Sequence, residues 1–149
     1  MENSILTASA IMSFAEKLEN DSSAFYEKLA QRFDEGKETF LGFAKDSQKN
    51  KTHLVRTYQE TISDALEAAF SFAGLELPDY DFETALAEGT SLREALEVAL
   101  EIEEEASKLY FQIAEQAQSL LATIPRAFSR VAKKRRARKE ILQSMLDKA

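Results

Sequence analysis

Two stretches of this 149-residue chain repeat one another at a constant offset, and that duplication limits the architectures open to it. Glu19 stands seven residues before Tyr26, and Glu103 stands seven before Tyr110. Around them Ala15 matches Ala99, Leu18 matches Ile102, Leu29 matches Ile113 and Ala30 matches Ala114. A second pair of segments repeats in the same way, with Phe40, Ala44 and Leu54 corresponding to Phe128, Ala132 and Leu142. Within every segment apolar residues recur at spacings of three and four, the period of an amphipathic helix. The chain therefore reads as two copies of a helix pair.

The local signals place the ends. Helix one is predicted from about Ala8 to Arg32 with Thr7 as N-cap, and Gly36 is placed to end it. Helix two begins near Glu38, carries Phe40, Phe43, Ala44, Leu54, Tyr58, Ile62 and Ala65 on one face, and stops at Gly74 before Pro78. The link from Leu75 to Thr90 is too long for a hairpin turn and is expected to hold a short helix around Phe82 to Ala87. Ser91 and Glu94 form the Ser-x-x-Glu capping box of helix three, which ends near Leu120. Pro125 suits the first turn of helix four, expected from about Ile124 to Asp147.

Length and composition fit this reading. With 44% apolar residues the chain can bury one core and is too short for two ordinary domains, so residues 1–149 are read as one. Only two prolines and four glycines interrupt it, and the closely spaced Asn-Gly or Asp-Gly turns of hairpins are missing. No cysteine is available for disulfides, thiolate metal sites or nucleophilic catalysis. A net charge of −7 gives no overall drive toward nucleic acid or anionic membranes. Ile5 to Ala15 is mildly apolar but follows Glu2 without a basic region, and reads as the start of a helix. A cytoplasmic protein that does not engage the membrane is expected.

The Glu-x6-Tyr repeats, the Phe-x3-Ala openings of helices two and four, and the crossover ending in Ser91-Leu92-Arg93-Glu94-Ala95-Leu96 together resemble the rubrerythrin-like branch of the ferritin-like superfamily, over nearly the whole chain. The resemblance implies an all-α, ferritin-like four-helix bundle of two helix pairs joined by a long crossover, and a homodimer. In that family a Glu on each of helices one and three and a Glu-x-x-His pair on each of helices two and four bind two iron ions, with open positions that react with peroxide or oxygen. Carried onto this chain, the first two ligands are Glu19 and Glu103. The helix-two pair falls on Ser47 and Asn50, and the helix-four pair on Arg135 and Arg138.

Those replacements change the expected chemistry. Phe128, Val131, Arg135, Arg138, Leu142 and Met145 share one helical stripe, so both arginines face the core. Arginine is rarely buried unpaired, and Glu19 and Glu103 are the partners at that depth. A dication ~5 Å from one guanidinium would be repelled by roughly 6 to 7 kcal/mol at an effective dielectric of ~20. The expectation is a metal-free ion-pair cluster of Glu19, Glu103, Arg135 and Arg138, edged by Tyr26 and Tyr110, without a catalytic residue or cofactor.

Three other readings are open. A diiron or other divalent-metal site could use Glu19, Glu103 and His53, giving a peroxidase, an oxidase or an iron-handling protein. His53 is the sole histidine, and its helical angle places it on a flank instead of the apolar seam. A bundle that binds an apolar ligand or a protein is the second, if Phe70 and Phe72 are exposed. The third is nucleic-acid binding by Lys133-Lys134-Arg135-Arg136-Ala137-Arg138-Lys139; helical geometry splits that run between core and surface, and it carries no interleaved aromatics, so no nucleic-acid partner is expected. A structural or interaction role, with a homo-oligomer or an unidentified protein as partner, is the primary expectation.

Overall fold

The computed structural model describes residues 5–61, 71–119 and 123–149. Four helices account for most of them: α1 (Ala8–Arg32), α2 (Lys37–Thr61), α3 (Leu92–Gln116) and α4 (Thr123–Lys148). The side chain of Thr7 opens α1 by accepting the Ala10 N–H at 3.0 Å. At α3 the capping box is complete, with Ser91 Oγ accepting from Glu94 N–H at 3.1 Å and Glu94 Oε1 from Ser91 N–H at 3.0 Å. Gly36 has φ +89°, and this left-handed turn sends α2 back along α1. A Cβ there would also lie 2.5 Å from the Met145 methyl group. Gly36→Ala is accordingly expected to cost about 1–3 kcal/mol, read as a lower urea midpoint at unchanged m-value.

Two short strands were not anticipated. Ile5–Thr7 (β1) pairs antiparallel with Ser71–Ala73 (β2), Leu6 opposite Phe72. Helix two therefore does not run to Gly74; its described part ends at Thr61, and Ile62, Ala65 and Phe70 lie outside the described residues, as does Leu120 at the expected end of helix three. Phe72 is buried, not exposed, because the strand turns it into the apolar cluster formed by the start of α1 and the end of α3. Gln116 pins β2 to α3, donating to Ala73 C=O at 2.7 Å and accepting from Ala73 N–H at 3.1 Å. In the crossover the short helix shrinks to a 3₁₀ turn, Thr84–Leu86, whose first amides are held by Asp81 Oδ1. A further 3₁₀ turn, Ala117–Ser119, follows α3.

Packing fixes the helix directions. Ile11, Ala15 and Leu18 of α1 cluster with Ala106, Tyr110 and Ile113 of α3, whereas Phe25 and Leu29 cluster with Ala95, Leu96 and Ala99. The N-terminal half of α1 thus meets the C-terminal half of α3, and these helices run antiparallel. Since the tight turn at Gly36 makes α1 and α2 antiparallel as well, α2 and α3 point the same way and the crossover must return along the bundle. Two apolar layers result, one at each end. Each buried Leu or Phe contributes ~1.5–3 kcal/mol, enough in sum to carry a polar layer between them whose own net contribution is small. No helix among the described residues is long and apolar enough to cross a membrane.

Candidate functional site

The polar layer lies between the two apolar clusters. Glu19 on α1, Glu103 on α3, and Arg135 and Arg138 on α4 are each no more than 2% exposed. Arg135 bridges both carboxylates, donating from Nη2 and Nε to Glu19 Oε2 at 2.9 and 3.1 Å and from Nη1 to Glu103 Oε1 at 2.7 Å. Its Nη2 also reaches Ser22 Oγ at 2.9 Å. Arg138 donates from Nη1 to Glu103 Oε2 at 3.1 Å and to Ser47 Oγ at 3.2 Å, and from Nη2 to Asp46 Oδ2 at 3.2 Å.

The tyrosines cross the bundle reciprocally. Tyr26 OH donates to Glu103 Oε2 at 2.6 Å, and Tyr110 OH donates to Glu19 Oε2 at 2.7 Å. Each repeat supplies the phenol that caps the other repeat's carboxylate. Asn50 Nδ2 approaches Glu19 Oε1 at 3.4 Å, so all four carboxylate oxygens face a donor. Among the described residues, Arg138 Nε is the one buried side-chain polar atom without a partner. Its guanidinium carbon lies 5.5 Å from the Tyr26 ring centre and 5.1 Å from that of Phe43, where the negative ring faces offset part of the charge.

Burial and charge compete at every titratable group here. Burial pushes the Glu103 carboxyl up, but Arg135 and Arg138 outweigh it and hold Glu103 below its ordinary value. For Arg135, burial alone would favour the neutral form, yet Glu103 and Glu19 keep it cationic well beyond its usual range. Burial, then the adjacent carboxylate, pushes both phenols well above their ordinary value. An ionised Glu103, two guanidiniums and two neutral phenols are therefore the stable forms of these groups at neutral pH.

The donor set does not fit a two-iron centre. Ser47 and Asn50 offer weak neutral oxygens where the resemblance requires a carboxylate and an imidazole, and Arg135 itself spans the two glutamates. Every carboxylate oxygen already accepts from a side chain that a cation would have to displace. His53 does not join the layer: it sits partly buried at the crease between α2 and α4, its charged neighbours Arg130, Lys134 and Arg56. Among the described residues no three His, Asp or Glu side chains converge.

Asp46 is the participant that the sequence did not flag. It joins the layer to the surface, accepting from Arg138 inside and from Lys134 Nζ at 2.9 Å outside. The basic run divides as the helix period requires. Arg135 and Arg138 point inward, Arg136 lies 4.6 Å over the Phe111 ring, Lys139 pairs with Glu104, and Lys133 is exposed. Compared with protein families, curated proteins and solved structures, the chain has no significant match.

Proposed function

We propose that this protein is a rubrerythrin-like, ferritin-like bundle in which an ion-pair layer has taken the place of the two-metal site, and that its role is structural or interaction-based instead of catalytic. The observation that carries this reading is Arg135, fully buried and bonded to both repeat glutamates at 2.7 and 2.9 Å, in the position where a metal bridging them would need to sit. The bundle's connectivity supports the comparison: one long crossover joining two antiparallel helix pairs is a ferritin-like arrangement. So does the registration, since Ser47 and Arg135, and Asn50 and Arg138, fall at equivalent places in the two repeats and line the same buried layer.

Anaerobic ferrous titration followed by oxygen exposure tests it. The wild-type chain is expected to bind no stoichiometric iron and to develop no oxo-bridged diiron absorption. Binding near two irons per chain would overturn the proposal. A converse experiment tests the registration: Ser47→Glu, Asn50→His, Arg135→Glu and Arg138→His together install two Glu-x-x-His pairs beside Glu19 and Glu103. This variant is expected to gain about two irons per chain. A folded variant that stays metal-free would remove the ferritin-like registration.

A further inference from the structure

Two adjoining troughs run along α4, and the second of them lies in the crease between α4 and α2. The first, of about 450 Å³, is walled by Arg126, Arg130, Lys133 and Lys134 of α4, and among the described residues no carboxylate lines it. The second, of about 440 Å³, shares Lys134 and Ala137 with the first, continues over Gly42, Phe43 and Ile141, and has the Asp46–Arg138 pair in its wall. Leu41 and Ile141, 43% and 45% exposed, are the exposed large hydrophobics among the described residues, and they stand on the two helices that form this crease. Among the described residues, Lys134 alone of the four cations has a carboxylate partner, Asp46. Arg126, Arg130 and Lys133 form no ion pair among the described residues, although the chain as a whole is acidic.

We propose that these two troughs together form a docking groove for an acidic amphipathic helix of a partner protein, its carboxylates over Arg126, Arg130 and Lys133 and its aliphatic side chains over Gly42, Ala137 and Ile141. The match is one of charge and hydrophobicity. Gly42 leaves the apolar end shallow and open, with nothing within 4 Å of the position a Cβ would take, so a helix backbone can approach. A small molecule is a poorer fit, because ligand pockets bury about 70–90% of their ligand and these troughs are open along their length. A nucleic-acid strand would find no aromatic platform in the cationic half and would waste the apolar half. The exposed row of α3 in a second copy, Glu97, Glu101 and Glu105, has the charge without the aliphatic continuation. Asp46 and Arg138 belong to both the groove and the core layer, whereas Arg126, Arg130, Lys133 and Ile141 do not touch that layer, so variants at those four test the groove without disturbing the core.

Two labelled synthetic helices serve as probes, one with glutamates along a face of its N-terminal half and leucines along the same face of its C-terminal half, the other with the halves exchanged. Fluorescence anisotropy measures binding, and the proton resonances of His53, the sole histidine, report the site. One probe is expected to bind, and its carboxylates should move the His53 titration to higher pH against the field of Arg56, Arg130 and Lys134. Arg130→Glu with Lys133→Glu should weaken it by about tenfold or more, and Ile141→Glu by at least about threefold, with helical content unchanged. Failure of both probes, equal binding of poly-glutamate or a DNA duplex, insensitivity to Ile141→Glu, or salt-sensitive self-association in place of probe binding would each overturn the assignment.

Discussion

Arg135→Ala is expected to destabilise the protein by about 3–5 kcal/mol, read from urea or guanidinium unfolding at pH 7. Arg135 makes the shortest Arg–carboxylate contact of the layer and is the one side chain that bonds both glutamates. Its removal strands Glu19 and Glu103 with two phenols, one amide and a single remaining guanidinium. The larger part of the loss comes from those uncompensated carboxylates, not from the missing arginine contacts, and a second variant separates the two. Replacing the whole set, Glu19→Leu, Glu103→Leu, Arg135→Met and Arg138→Met, together with Tyr26→Phe and Tyr110→Phe, removes the four charges and the two hydroxyls that donate to them, and is expected to recover most of that loss. Wild-type stability in Arg135→Ala would mean that the layer is hydrated and open, contrary to burial of Arg135 at 0% exposure.

Stability should form a plateau bounded by the ordinary carboxylate and phenol ranges. Glu103 titrates below its ordinary value of 4.5 in the folded chain. As pH falls past that value the unfolded chain takes up protons first, so stability falls with pH on the acid side. Tyr26 and Tyr110 lie on the other side of the argument, pushed well above 10.0 by burial and then by Glu103 and Glu19. Above pH 10 the unfolded chain loses phenolic protons that the native chain retains, and stability falls as pH rises. Tyr80, pushed up to about 12 by burial, adds to that limb. Urea midpoints measured from pH 3 to 12 should show both limbs, and Tyr26→Phe with Tyr110→Phe should flatten the alkaline one while Tyr80 maintains a residue of it. A flat profile above pH 10 in the wild type would place the phenols in water.

Helical period carried much of this structure on its own. The stripe Phe128, Val131, Arg135, Arg138 and Leu142 identified the buried arginines because a residue's angle around a helix follows from counting. The start of α3 was legible because a capping box is chemistry within four residues. Crossing of the tyrosines was not legible, because a phenol two turns above a glutamate on the same helical face can reach toward it as well as across the bundle. Asp46 was not legible, since two glutamates already balance two arginines and no count of charge called for a third acid. β1–β2 pairing was hidden for a different reason. Each strand is three residues long, and strands that short carry no period; their partner is set by where the crossover begins.

The tyrosines treat the two repeats alike, but the arginines do not. Both guanidiniums come from α4, and the equivalent places on α2 hold Ser47 and Asn50. Because the two halves repeat one another in sequence, the pairing of like halves can be compared with the pairing of unlike ones by charge alone. Two first halves brought together would enclose two glutamates and no arginine. Two second halves would enclose four arginines and two glutamates. Only the unlike halves neutralise each other, and burial makes the wrong combinations costly. The unequal placement of charge therefore favours closure of unlike halves on one another over any pairing of like halves.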